Sequence, residues 1–211
     1  QYLLAINNFL FFKIMFISLY FIHTKRKVTM RVIGGKYRGK KLIPPKNDDI
    51  RPTTDKARES LFNMLQYYIY GSSFLDLFSG SGAVSIEAIS RGASLVTLVE
   101  KSRESIKTIN ANLNLIADEK GKAELINSDV INYLQISKAK FDIIFADPPY
   151  AYEKTNQIIE LISTRKLLED DGVVIIETDK KENLVIPNDM YIDKEKIYSI
   201  SKFSIIKNKE K

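Results

Sequence analysis

Apolar and polar positions along this chain change period at regular intervals. Phe74–Phe78, Leu95–Glu100, Ala123–Asn127, Phe141–Ala146 and Gly172–Glu177 are short runs rich in branched and aromatic side chains, and each predicts a strand. Between them apolar residues recur every three or four positions, which predicts helices over Ala83–Ser90, Glu104–Leu115 and Glu153–Leu168, with a short one near Val130–Leu134. Gly92 stops the first of these. Continuous apolar strands alternating with helices define an α/β fold, a doubly wound, mostly parallel sheet covered on both faces. The tail (Leu184–Ile186, Tyr191–Ile200, Phe203–Ile206) lacks helical periodicity and predicts an antiparallel hairpin that finishes the sheet.

Ahead of the repeating unit, Arg31–Ile33 and Lys40–Ile43 flank Gly34, Gly35 and Gly39, the pattern of a glycine-rich hairpin ended by Pro44 and Pro45. Thr53 or Thr54 can cap a helix running to about Tyr70, with Ala57, Leu61, Met64, Leu65 and Tyr68 on one stripe.

Residues 1–29 do not fit this scheme. Gln1–Ile22 is apolar but carries Asn7, Asn8, Lys13 and Ser18, and a lysine at the centre of a spanning helix costs about 2.5–3.5 kcal/mol. The bases Lys25, Arg26 and Lys27 follow the apolar run, the reverse of a secretory signal. A leader or upstream extension outside the fold is the preferred expectation, and a membrane anchor is the alternative. The expected organisation is therefore residues 1–29 set apart from one domain over 30–211, with 30–50 as a basic hairpin.

Charge sharpens that division. The chain of 211 residues carries a formal +6. Residues 30–58 alone hold nine bases against three acids, whereas 59–211 hold 19 bases against 23 acids. A basic segment on a mildly acidic body points to a polyanionic partner, with a solvated lysine-rich face as the alternative. There is no Cys, and the single His is His23. Disulfides, thiolate metal sites, Cys nucleophiles and Ser-His-Asp triads are thus excluded or disfavoured. Catalysis must rest on carboxylates, backbone groups, aromatics or a bound cofactor, and no metal is called for.

Candidate chemistry lies where the strands end. In open α/β sheets ligands sit beyond the carboxyl ends of the strands. Asp76 precedes the turn Leu77-Phe78-Ser79-Gly80-Ser81-Gly82, whose glycines allow close backbone approach to a ligand. Glu100 ends the second strand, where a carboxylate can accept from both hydroxyls of a ribose. Asp129 follows the third, within reach of an adenine amino group, and Asp147 ends the fourth within Ala146-Asp147-Pro148-Pro149-Tyr150. The dinucleotide glycine pattern fails at Ser85, so the outlined ligand is an adenosine with no need of a pyrophosphate cradle. Two prolines lock the last segment and leave carbonyls free. A carboxylate and a carbonyl held together can accept both hydrogens of an exocyclic amine, and Tyr150 offers a face for a flipped base.

These residues resemble the class I S-adenosylmethionine-dependent methyltransferases of exocyclic amines. More narrowly, they are similar to the bacterial 16S rRNA guanine(966)-N(2)-methyltransferase family, often called RsmD. Three stretches over roughly residues 30–180 carry the likeness: Met30-Arg-Val-Ile-Gly-Gly-Lys-Tyr-Arg-Gly-Lys-Lys-Leu42, then Arg51-Pro-Thr-Thr-Asp-Lys-Ala-Arg-Glu-Ser-Leu-Phe-Asn-Met-Leu65, then Phe74-Leu-Asp-Leu-Phe-Ser-Gly-Ser-Gly82 with Asp147-Pro-Pro-Tyr150. The resemblance implies that Asp76, Gly80 and Gly82 contact the methionine end of S-adenosyl-L-methionine, Glu100 its ribose and Asp129 its adenine. It implies that Asp147, Pro148 and Tyr150 hold the guanine. Lys36, Arg38, Lys40 and Lys41 would grip rRNA phosphates, and Arg51 through Arg58 would line the entrance for substrate and cofactor. The tail departs from the family pattern, since Tyr198–Ile206 has no glycine.

What the resemblance implies is a cytoplasmic, monomeric enzyme acting on small-subunit rRNA or a ribosomal particle by direct methyl transfer. Adenine-N(6) DNA methyltransferases and glutamine-N(5) protein methyltransferases share the proline turn. The latter resemble Asn-Pro-Pro-Tyr, which Asp147 counts against, and the former commonly need a further recognition domain. An RNA-binding module on a methyltransferase-like scaffold is the non-enzymatic alternative.

Overall fold

The computed structural model of the protein describes residues 30–45, 55–150, 152–198 and 200–210. Residues 1–29, Arg51 and the proposed caps Thr53 and Thr54 lie outside them. A two-stranded antiparallel hairpin comes first, β1 (Met30–Arg31) and β2 (Lys41–Leu42). Helix α1 (Asp55–Met64) leads into the repeating unit: β3 (Ser73–Leu77), α2 (Ala83–Ser90), β4 (Leu95–Glu100), α3 (Arg103–Asn114), β5 (Ala123–Asn127), α4 (Val130–Ile136), β6 (Phe141–Ala146), α5 (Thr155–Arg165) and β7 (Leu168–Asp179). The antiparallel pair β8 (Met190–Tyr198) and β9 (Ser201–Asn208) closes the chain. The large sheet has the order β5-β4-β3-β6-β7-β9-β8, parallel up to β7 and antiparallel beyond it.

Strand side chains alternate between two cores. Phe74, Leu98, Phe145 and Ile175 face one core with the hairpin, α1, α2 and α3. Leu75, Leu77, Val99, Ile144 and Ile176 face the other with α4 and α5. Burial on both faces is why these strands read as unbroken apolar runs rather than alternating ones.

The hairpin is not a free arm. Buried Glu87 on α2 accepts the backbone N–H groups of Ile33 and Gly34, both at 2.7 Å, and the Arg91 Nε–H at 2.8 Å. The Ser90 hydroxyl donates to the Gly34 carbonyl and accepts from Tyr37 N–H, while the Ser90 carbonyl takes the Lys36 N–H. Met30, Val32 and Leu42 complete the seam by joining the first core.

Most predicted bounds shift by a few residues at an end, and at three elements the difference has a structural reason. Helix α1 ends at Met64, not near Tyr70, because the run Tyr67-Tyr68-Ile69-Tyr70 is a poor helix former that breaks into turns before Gly71 at φ 75°. β7 starts at Leu168, ahead of the predicted Gly172, and its pairing with β6 shifts register between Phe141 and Ile143. At that irregularity a Cβ on Gly172 would come within 2.9 Å of the Asp142 carbonyl, so only glycine fits. Leu184–Ile186 is a loop, not a strand, and its Leu184 and Ile186 pack on the second core.

Candidate active site

β3 sits between β4 and β6, and across the parallel strands chain order runs outward from it, through β4 and β5 on one side and β6 and β7 on the other. The topological switch point therefore falls at its carboxyl end. Leu77 pairs with Val99 and with Ala146, Val99 with Ile126, and Ala146 with Ile176. The next row along the sheet edge is thus Phe78, Glu100, Asn127, Asp147 and Glu177. Asp76 is not in that row. It lies two residues deeper, so the four acids do not form the single line that the sequence suggests.

Its depth gives Asp76 another task. Gly82 caps α2 at φ 75° without a side chain to offer, and the fully buried Asp76 fills that role from below. Its carboxylate accepts from both the hydroxyl and the backbone N–H of Ser85, in the first turn of α2. Burial pushes the Asp76 carboxyl up to about 7; the Ser85 hydroxyl opposes the rise and the charge of Glu100 adds to it. The expected contact of Asp76 with the methionine end of a cofactor is accordingly corrected: it supports the turn from beneath.

Glu100 is held at the surface of the site. One carboxylate oxygen accepts Gly80 N–H at 2.9 Å and the other accepts Ser102 N–H at 2.7 Å. A carboxylate offers about four acceptor positions, so capacity for two hydroxyl donors remains. In the turn, Phe78, Gly80 and Gly82 all have positive φ, at 65°, 54° and 75°. Buried Asn112 stakes the turn to the hairpin: its amide donates to the Ser81 and Ile43 carbonyls and accepts Ile43 N–H. Asp129 caps α4 by accepting Ile131 N–H at 3.0 Å, and Lys101 Nζ lies 3.8 Å from its second oxygen.

Asp147, Pro148, Pro149 and Tyr150 leave β6 as an irregular segment at the switch point, with the Tyr150 ring exposed. The pattern of residues missed what lies behind it. Tyr152 packs edge-on against Phe78, centroids 5.1 Å apart at 77°. Burial raises the Tyr152 phenol, and the charge of Asp129 adds to that rise; the Phe78 contact joins the loops after β3 and β6 at this ring. An aromatic residue inside the glycine turn was the only available signal, because the pairing depends on backbone conformation.

The basic segment divides in two. Lys36 forms ion pairs with Asp118 at 2.8 Å and Glu119 at 2.7 Å, which hold its ammonium above its ordinary range and the Asp118 carboxyl down to about 2. Lys40 Nζ donates to the Leu115 carbonyl at the end of α3. Arg38 and Lys41 are exposed and pair with no described residue. Arg58 is fully buried, its Nη2 donating to the Arg31 carbonyl at 2.6 Å and to Asp55 at 2.9 Å. Burial lowers its guanidinium, opposed by Glu87 and Asp55. The expectation that Arg58 lines an RNA surface is overturned: it ties α1 to β1. Arg51 lies outside the described residues.

A sheet of this order, with a glycine turn, a strand-end carboxylate beside it and an Asp-Pro-Pro-Tyr loop across the switch point, defines a methyltransferase of the S-adenosylmethionine-dependent class. A family model described as Conserved hypothetical protein 95 matches residues 30–207, and the chain belongs to that family, the RsmD family. It is 33% identical over 184 residues to the Ribosomal RNA small subunit methyltransferase D of Haemophilus influenzae, covering 86% of this chain and 95% of that one. The solved structure of the methyltransferase yhhF from Escherichia coli superposes with a TM-score of 0.76 at 32% identity, over 87% of this chain and 99% of that one. The methyltransferase SMU.776, solved in complex with SAH, shares the fold at 19% identity and a TM-score of 0.58, over 75% of this chain and 50% of that one.

Proposed function

We propose that this chain transfers a methyl group from S-adenosylmethionine to the exocyclic N(2) amine of a guanine in small-subunit rRNA. The observation that carries the reading is the Asp147-Pro148-Pro149-Tyr150 segment leaving β6 in the same row as Glu100, beside the glycine turn. Relatives named for small-subunit rRNA support the substrate class.

The residues fit the cofactor in the chemistry of their donors and acceptors. Glu100 keeps acceptor capacity for ribose hydroxyls, the Gly80–Gly82 backbone leaves room for close approach, and Asp129 stands at the next loop for the adenine. When bound, the cofactor supplies an electrophilic methyl group on a sulfonium. Asp147 and the Pro148 carbonyl accept the two amine hydrogens and so aim the nitrogen lone pair. Tyr150 stacks on the base. Once the nitrogen had gained the methyl group and the sulfonium had left as a neutral thioether through loss of its methyl–sulfur bond, the amine would be acidic, and Asp147 or water would take its proton. Arg38 and Lys41 contact RNA phosphates, while Lys36 and Lys40 hold the hairpin in place.

Labelled S-adenosylmethionine and small-subunit rRNA from a strain lacking this gene test the proposal. N(2)-methylguanosine in the digested product is expected. A methylated adenosine, or label on protein alone, overturns it.

A further inference from the structure

The strained residue of the site is Phe78. Along β3, Phe74 and Asp76 face α2 while Leu75 and Leu77 face the opposite core. Alternation would send Phe78 to the α2 side as well. Instead it packs on the core shared by α4 and α5, against Tyr152. Its φ of 65° is what swings the ring across the sheet end. Lys166, which is the other described non-glycine residue with positive φ, merely closes helix α5. A bulky residue keeps such a conformation where its surroundings impose it, and such residues cluster at functional sites.

Tyr152 is fixed from the other side. Its N–H donates to the Pro149 carbonyl at 3.0 Å, and its carbonyl accepts from the Thr155 hydroxyl at the start of α5 at 3.0 Å. It therefore belongs to the same turn as Pro149 and Tyr150. The Phe78 backbone belongs to the turn that also contains Gly80 and Gly82. One edge-to-face contact thus joins the segment read as the cofactor turn to the segment read as the target-base loop.

We propose that Tyr152 is a positioning residue, and that its contact with Phe78 couples the seating of the cofactor turn to the placement of Asp147–Tyr150. The inference rests on the methyltransferase reading above. With the cofactor bound, the turn is fixed, the Phe78 ring is held, and the target loop loses freedom through Tyr152. Without the ring contact the two loops behave independently: cofactor still binds, but the loop is not ordered by it.

Hydrogen exchange measures this directly. In the parent protein, added S-adenosylmethionine is expected to slow exchange in the peptide covering residues 147–154. Tyr152→Leu, which keeps apolar volume, should lose that protection while cofactor affinity stays within about threefold, and Phe78→Gly, which keeps positive φ accessible, should lose the protection too. Tyr152→Phe retains the ring and should retain protection. In single-turnover transfer, Tyr152→Leu and Phe78→Gly should each be about tenfold slower, with the double variant no slower than the worse single one. Retained protection in both ring-deleting variants overturns the proposal, as does multiplicative slowing in the double variant or absence of protection in the parent. Protection that follows this pattern in a protein inactive on rRNA would leave the coupling standing and remove the substrate assignment instead.

Discussion

Gly35 lies so close to Ser90 that a Cβ added to it would stand 1.9 Å from the Ser90 carbonyl oxygen. Its φ of 73° adds a second reason for glycine at this position. The contact seats the hairpin on the end of α2, next to the hydrogen bonds from Glu87 and Ser90. Gly35→Ala should therefore destabilise the fold by about 2–4 kcal/mol, combining overpacking with left-handed strain. Urea unfolding checks the magnitude. Cofactor affinity under native conditions should hold, since the glycine turn lies at the other end of α2. An unchanged urea midpoint would show that the hairpin is not docked this way.

Asp76 makes stability depend on pH in an unusual direction. Its carboxyl is raised from 3.8 to about 7 by burial in the folded protein, so between those values the folded state binds the extra proton. Stability from this group is fully present below about pH 4 and is lost as pH rises towards 7. Asp76→Asn keeps an acceptor for Ser85 and removes the titration. The parent should lose stability relative to Asp76→Asn by up to a few kcal/mol between about pH 4 and pH 7. Urea midpoints for both proteins across that range test the sign; a parent midpoint that stays constant or rises relative to that of Asp76→Asn as pH increases contradicts it.

The division of the basic hairpin has a separable readout. Replacing Arg38 and Lys41 with Ala should weaken RNA binding and lower the salt slope by about 1.4, at roughly 0.7 per single-strand phosphate contact. Replacing Lys36 and Lys40 should act first on hairpin docking, seen as faster proteolysis near residues 34–41, because their partners are Asp118, Glu119 and the Leu115 carbonyl. Equal loss of salt slope in both pairs would mean that the ion pairs open when RNA binds.

Sheet and site were legible to different depths. β4 and β6 match their predicted ranges because strands buried on both faces announce themselves as apolar runs with sharp ends, and the edge strand β5 matches as well although it is only partly buried. The Asp-Pro-Pro-Tyr segment was legible because proline chemistry is local. Partners distant in sequence were not. Lys36 and Asp118 meet across the fold, and no local rule distinguishes a lysine paired with a distant loop from a solvated one. Arg58 reads as a surface base in the first turn of a helix until the Arg31 carbonyl is placed above it. Asp76 reads as a strand-end acid because its depth is set by register with β4 and β6.

Asp147 separates chemistry from binding. If Asp147 and the Pro148 carbonyl orient a guanine amine, their benefit grows as the nitrogen gains positive charge in the transition state. Asp147→Asn keeps the side-chain size and one acceptor. It loses the negative charge, and its amide N–H group would face the amine donor to donor. The methyl-transfer rate should fall at least about 100-fold, comparable to the loss of one preorganised electrostatic group. Cofactor affinity should stay nearly unchanged, because Glu100 and the Gly80–Gly82 turn are untouched. Single-turnover kinetics with excess enzyme distinguish a slower chemical step from weaker RNA binding. Transfer at close to the parent rate would reduce Asp147 to a turn residue, and the amine-orienting role would have to lie elsewhere along the sheet edge.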